Sequence, residues 1–158
     1  MYHTGDKIIH PMHGAGIVSA ITERTIGGEK KQYYELKLSS GGMVVLSPVQ
    51  QDENSVVRPV TPRETMLQLL EALPGLKVEM TANWNQRYRD NMLRLKSGNL
   101  TEVARVIKGL TCRGRQRDLS NGERRMLRLA RHILISEMVL SLSAEYDDAA
   151  MRLDMALL

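Results

Sequence analysis

Phenylalanine is missing from this 158-residue chain altogether, and tryptophan and cysteine occur once each, as Trp84 and Cys112. A single Cys excludes an internal disulfide and fits a reducing compartment. No apolar run approaches the roughly 20 residues that a membrane-crossing helix needs. The opening Met1-Tyr2-His3-Thr4-Gly5-Asp6 has neither the basic nor the apolar region of a secretion signal. A cytoplasmic protein with no membrane partner is the expectation. Equally missing are a Walker A loop, a G-x-S-x-G elbow and an H-E-x-x-H pair. With no catalytic constellation, no enzyme activity and no cofactor are expected. His10 and His13 lie three apart, but across a strand end and a Pro turn, with no Cys or carboxylate close in sequence to complete a metal site. No metal is expected there. Cys112 sits beside Arg113 and Arg115, which can lower a thiol pKa, yet no base partner is evident.

What is present is unevenly distributed charge. Residues 1–60 hold six Lys/Arg and six Asp/Glu, and residues 132–158 hold one Arg and five acids. Between Gln86 and Arg131 there are thirteen Lys/Arg against four Asp/Glu, a local net of +9 in a chain whose total is only +4. The positive charge therefore belongs to one segment and is not a solubilising coat.

Residues 1–60 read as short strands joined by tight turns: Lys7–His10, Ile17–Thr22, Tyr33–Leu38 and Met43–Leu46, with Gly27-Gly28 and Gly41-Gly42 as hairpin signals and Val56-Val57 as a last short strand. A small antiparallel barrel is the expected architecture. Pro59-Val60-Thr61-Pro62 reads as a linker. Thr61-Pro62-Arg63-Glu64 reads as a capping box with Pro at the first helical position, opening a helix that ends at Pro74-Gly75. Four more helices follow: from Asn83 to Ser97-Gly98, from Asn99 to about Thr111, from the Ser120/Glu123 capping box onward as the longest, and over Glu145–Leu157. The expected class is α+β, with domains at 1–60 and 61–158. Ten Met and no Phe make for a plastic core, and Met126, Met138, Met151 and Met155 are expected to lie in it.

Trp84 opens the second predicted helix, and Arg87 and Arg89 follow within about one turn. On the longest helix, Arg124, Arg128 and Arg131 recur on one face, with Arg125 at its edge. Arg113, Arg115 and Arg117 read as a basic loop. A large flat ring at the lip of a cationic helical surface suits phosphate contacts plus a wedge into a distorted or opened duplex. Helix-turn-helix and zinc-finger signatures are both missing, so base-edge reading in the major groove is not indicated.

The whole chain resembles the CarD/CdnL family of bacterial RNA-polymerase-binding transcription factors. The resemblance is carried by Pro11-Met12-His13-Gly14-Ala15-Gly16, Lys31-Gln32-Tyr33-Tyr34, Asn83-Trp84 with Arg87-Tyr88, and Leu119-Ser120 with Gly122-Glu123. The N-terminal part is also similar to the polymerase-interacting domain of the transcription-repair coupling factor. The resemblance implies a Tudor-like domain docking on the RNA polymerase β subunit. It implies a helical domain that contacts promoter DNA at the upstream edge of the melted region and stabilises the open complex, through minor groove and backbone with weak sequence specificity. It assigns polymerase contact to Arg24, Thr25, Ile26 and Leu46, with Leu46 standing where some members carry a second Arg. It assigns DNA contact to Asn83, Trp84, Arg87, Arg89, Arg124 and Arg125.

Two other readings stand beside this one. A general RNA-binding protein would need a stacking platform, but Tyr33 and Tyr34 are adjacent and point to opposite faces of a strand. A protein adaptor would use the basic surface on an acidic partner. No heptad run signals a coiled coil, and a monomer is expected.

Overall fold

The computed structural model describes residues 1–39, 41–50 and 57–158. Its first part is a five-stranded antiparallel sheet: β1 (Lys7–His10), β2 (Gly14–Ile26), β3 (Glu29–Leu38), β4 (Val44–Pro48) and β5 (Arg58–Pro59), in the order β4-β3-β2-β1-β5. Ile8, Val18, Tyr34, Leu36 and Val57 close the inner face. Val57 is buried just ahead of β5 and forms no strand of its own, and Val56 lies outside the described residues.

The central strands are longer than the apolar pattern suggests. Glu23–Ile26 and Glu29–Gln32 pair residue by residue as an exposed ribbon, from Glu23↔Gln32 to Ile26↔Glu29. Nothing in that ribbon is buried, so no alternation marks it. The ladder bonds and the Gly27-Gly28 turn, both at positive φ (61° and 82°), sustain it. A bulge between Val18 and Ala20 leaves Ser19 unpaired in the ladder, and its hydroxyl donates to the Glu35 carbonyl at 3.1 Å.

The helices are α1 (Arg63–Ala72), followed by a 3-10 turn at Leu73–Gly75, then α2 (Trp84–Lys96), α3 (Leu100–Gln116), α4 (Asn121–Leu142) and α5 (Tyr146–Ala156). Asn83, Asn99 and Ser120 cap α2, α3 and α4, each accepting the backbone N–H three residues on. The expected capping box at α1 does not form. Pro62 takes the cap position with no side-chain bond, because Thr61 is engaged elsewhere. Its N–H donates to Glu137 at 2.9 Å, its carbonyl accepts from Ser141 at 2.7 Å, and its hydroxyl accepts from Arg58 at 3.3 Å.

Helix α3 also overruns its expected end. Arg113 and Arg115 lie in its last turn, not in a loop. Basic residues there complement the helix dipole, and the Arg115 guanidinium donates to the Leu157 carbonyl at 2.9 Å. Helix α5 buries Ala149 and Leu153, and Leu157 just past its end is buried too, all spaced four apart. Met151 and Met155 therefore fall on its outer face and are exposed, contrary to expectation, while Met126 and Met138 are buried in the helical core.

Helix α4 is buried without interruption from Ile133 to Met138, because the helical core and the sheet both pack on it. Gly14 (φ 79°) brings the β1–β2 turn against α4 so closely that a Cβ would sit 2.5 Å from Ser136 Oγ. That hydroxyl accepts the Ala15 N–H at 3.0 Å. Arg58 grips Glu137 with two bonds of 2.6 and 2.7 Å and reaches the Gly98 carbonyl with Nε at 2.7 Å. Polar pairs thus tie strand β5 to α4 and to the α2–α3 turn. No described helix is long and apolar enough to cross a membrane.

Candidate nucleic-acid interface

Trp84 is the first residue of α2, and 42% of it is exposed. Its ring stacks on Tyr88 one turn later, with centroids 5.1 Å apart and planes 19° apart. The indole Nε1–H donates to Ser120 Oγ at 2.9 Å, linking the start of α2 to the start of α4. Gly122 lies against the ring: a Cβ there would stand 3.5 Å from Cζ2 of Trp84. Beside the ring opens a shallow groove of about 270 Å³ formed by Trp84, Tyr88, Met92, Arg125, Met126 and Leu129 with Gly122. Asn83 uses its side-chain carbonyl to cap α2, accepting from the Gln86 N–H at 3.0 Å.

Arg87 does not join this surface. It is 2% exposed, and its Nε and Nη2 donate to the Glu123 carboxylate at 2.8 and 3.1 Å. Nη1 donates to the carbonyls of Thr81 and Ala82, both at 3.1 Å. Four of its five N–H donors are therefore satisfied inside the protein. The structure contradicts the expected phosphate contact by Arg87: its side chain is turned in against Glu123 of α4, while Arg89, two residues on and so on the opposite side of α2, is exposed. The Arg87 hydrogen bonds hold the Glu123 carboxyl below the usual carboxylate range, against the opposing effect of burial.

Internal partners take other members of the basic segment as well. Arg94 and Arg105 pair with Glu102, Lys108 donates to the carbonyls of Leu73 and Pro74, and Arg131 pairs with Asp154 of α5 at 2.6 Å. Arg131 thus leaves the expected α4 stripe. Arg89, Arg124, Arg125 and Arg128 are exposed and pair with no acid among the described residues. Arg124 and Arg125 donate only to Asn121, through its side chain and its carbonyl. These four cations lie on α2 and the first half of α4, the two helices that hold Trp84, and Arg117 at the end of α3 is exposed as well.

Residues 2–61 match the family described as CarD-like/TRCF RID domain, and residues 68–154 match CarD, C-terminal domain. A Bacillus subtilis (strain 168) relative, named "Putative transcription factor YdeB", is 35% identical over 138 residues, covering 87% of this chain and 90% of that protein. The chain belongs to the CarD-like family.

In this CarD-like chain the other expected contact residues lie on the outer part of the sheet. Arg24 and Glu35 approach to 3.9 Å between Nη2 and Oε1. Leu46 stands directly opposite Glu35 on the edge strand β4 and is 43% exposed. Arg24, Glu35 and Leu46 therefore share one face, with Val44 beside them. Thr25 and Ile26 are exposed at the end of the ribbon. His10 and His13 pack with ring centroids 4.6 Å apart and planes tilted by 46°. The His10 Nδ1 accepts the Met12 N–H at 3.1 Å. Burial, with His13 adding to it, pushes the His10 pKa down to about 4. No group of three or more metal-binding side chains occurs among the described residues.

Sequence reasoning did not find the Arg87–Glu123 pair or the seat of Trp84 on Ser120 and Gly122. The i, i+4 spacing of Trp84 and Tyr88 carried the signal for their stack. Ser120 was legible as a helix cap, but its second bond crosses between helices and leaves no local trace.

Proposed function

We propose that this protein is a non-enzymatic transcription factor that binds RNA polymerase and promoter DNA together and stabilises the open complex. Residues 1–60 act as the polymerase-binding domain and residues 61–158 as the DNA-contacting domain. The outer sheet face, with Arg24, Thr25, Ile26 and Leu46, docks on the polymerase β subunit, and the open edge of β4 offers backbone groups to a partner strand. Trp84 wedges at the upstream junction of duplex and melted DNA, while Arg89, Arg124 and Arg125 hold phosphates beside it. Asn83 contributes by capping α2 under the ring, and Arg87 by fixing α2 to α4. Each contact can be weak alone, because engaging one raises the effective concentration of the other.

The observation that carries this reading is the half-exposed ring of Trp84 with Arg125, a cation that no acid among the described residues engages, in the groove beside it. The test is a chemical footprint of a bacterial RNA polymerase holoenzyme–promoter complex with and without the protein. Added protection at the upstream edge of the melted region is the expected result. A footprint identical in both samples removes the reading.

A further inference from the structure

The ring of Trp84 is held by α4 as well as by its own helix. Tyr88 supports one face of the ring, Gly122 lies against it, and its single polar atom donates to Ser120 Oγ. The same oxygen accepts the Glu123 N–H at 3.1 Å and so caps α4. A hydroxyl oxygen has two acceptor sites, so it can serve both donors at once. An exposed indole with no bonded edge would sample several staggered rotamers. With Nε1 tied to α4, one of them is selected before any DNA arrives.

We infer that Ser120 is a positioning residue: by accepting the indole N–H it presets the orientation in which Trp84 engages DNA. This rests on the reading of Trp84 as the DNA wedge. The pre-set ring matters because binding by a fraction of the population is weakened by that fraction. The neighbouring Arg87–Glu123 pair keeps the ends of α2 and α4 in register, so the donor and acceptor stay within reach.

The cap and the seat separate cleanly in one substitution. Gly at an N-cap supports a helix nearly as well as Ser, yet offers the indole no acceptor. Ser120→Gly should therefore leave the thermal melt near wild type and free the ring. Trp84 is the sole tryptophan, so fluorescence anisotropy of the full-length protein reports on it alone. Anisotropy should fall in Ser120→Gly and return in Ser120→Thr, which restores a hydroxyl.

On a linear promoter with RNA polymerase holoenzyme under competitor challenge, Ser120→Gly should shorten the open-complex lifetime roughly two- to tenfold, the range one neutral hydrogen bond can shift. Ser120→Thr should restore it, and Ser120→Gly should add nothing in a Trp84→Ala background. Unchanged anisotropy overturns the inference. So does a shortening that persists without Trp84, or a wild-type lifetime for Ser120→Gly beside a short one for Trp84→Ala. A wild-type lifetime for Trp84→Ala itself removes the wedge reading, and the positioning role with it.

Discussion

Two residues one turn apart have opposite fates at the start of α2. Trp84 projects outward, and Arg87 turns inward to Glu123. Removing one partner of a buried ion pair leaves the other charge uncompensated, typically at about 3–5 kcal/mol. Arg87→Ala should therefore lower the melting temperature sharply, and its effect on DNA should follow from lost structure. Arg89, Arg124 and Arg125 should behave in the opposite way. Replacing any of them by Ala should leave the thermal melt near wild type, weaken DNA engagement across sequences, and flatten its salt dependence by about one unit of slope. Loss of preference for one base with an unchanged slope would point instead to direct base reading. Basic residues that look alike in the sequence thus divide by burial, which only the packing of α2 on α4 decides.

At the scale of elements, the turn between β1 and β2 carries a pH-sensitive contact. His10 is neutral in the fold, since its pKa falls to about 4 against an ordinary value near 6.5. Between these values the unfolded chain binds a proton that the native protein does not. Stability should therefore decline as pH falls from about 6.5 towards 4, and level off below. Burial depresses His132 in the same direction, so His10→Gln should shallow this decline without abolishing it. Melting temperatures of both proteins across pH 7 to 5 provide the check, and parallel curves would exclude a role for His10.

Most elements were legible in the sequence because their signals are local. Asn83, Asn99 and Ser120 cap the helices they were expected to cap, and the Gly-Gly pairs turn the hairpins. What escaped was non-local. The exposed ribbon of β2 and β3 has ladder pairing but no buried face, and Thr61 left its capping role for bonds to Glu137 and Ser141. Arg113 and Arg115 read as loop residues until α3 continued under them. In the candidate site, the exposed ring and the arginines of α4 could be anticipated, because charge and helical spacing are local properties. The withdrawal of Arg87 and Arg131 could not, because their partners lie 36 and 23 residues away.

The molecule as a whole presents two surfaces joined through α4. Sheet and helices meet there at Gly14, Ser136, Arg58 and Glu137, so the sheet face proposed for polymerase and the helical face proposed for DNA are held in one geometry. On the sheet side, Arg24→Glu would set a second carboxylate beside Glu35 and reverse the charge of the face. Pull-down against the polymerase β subunit should show weakened binding with DNA contact by the isolated protein retained. Binding as tight as wild type would remove Arg24 from the interface. On the helical side, the central claim is that Trp84 serves DNA and not the fold. A core Trp truncated to Ala typically costs about 3–5 kcal/mol. A ring exposed to 42% and resting on Tyr88 should cost much less. The most direct measurement is the decay of polymerase–promoter open complexes under competitor challenge with Trp84→Ala in place of wild type, beside a thermal melt of the same variant. A near-normal melt with faster decay is the predicted result. Decay indistinguishable from wild type, or a collapsed melting temperature, would contradict the account.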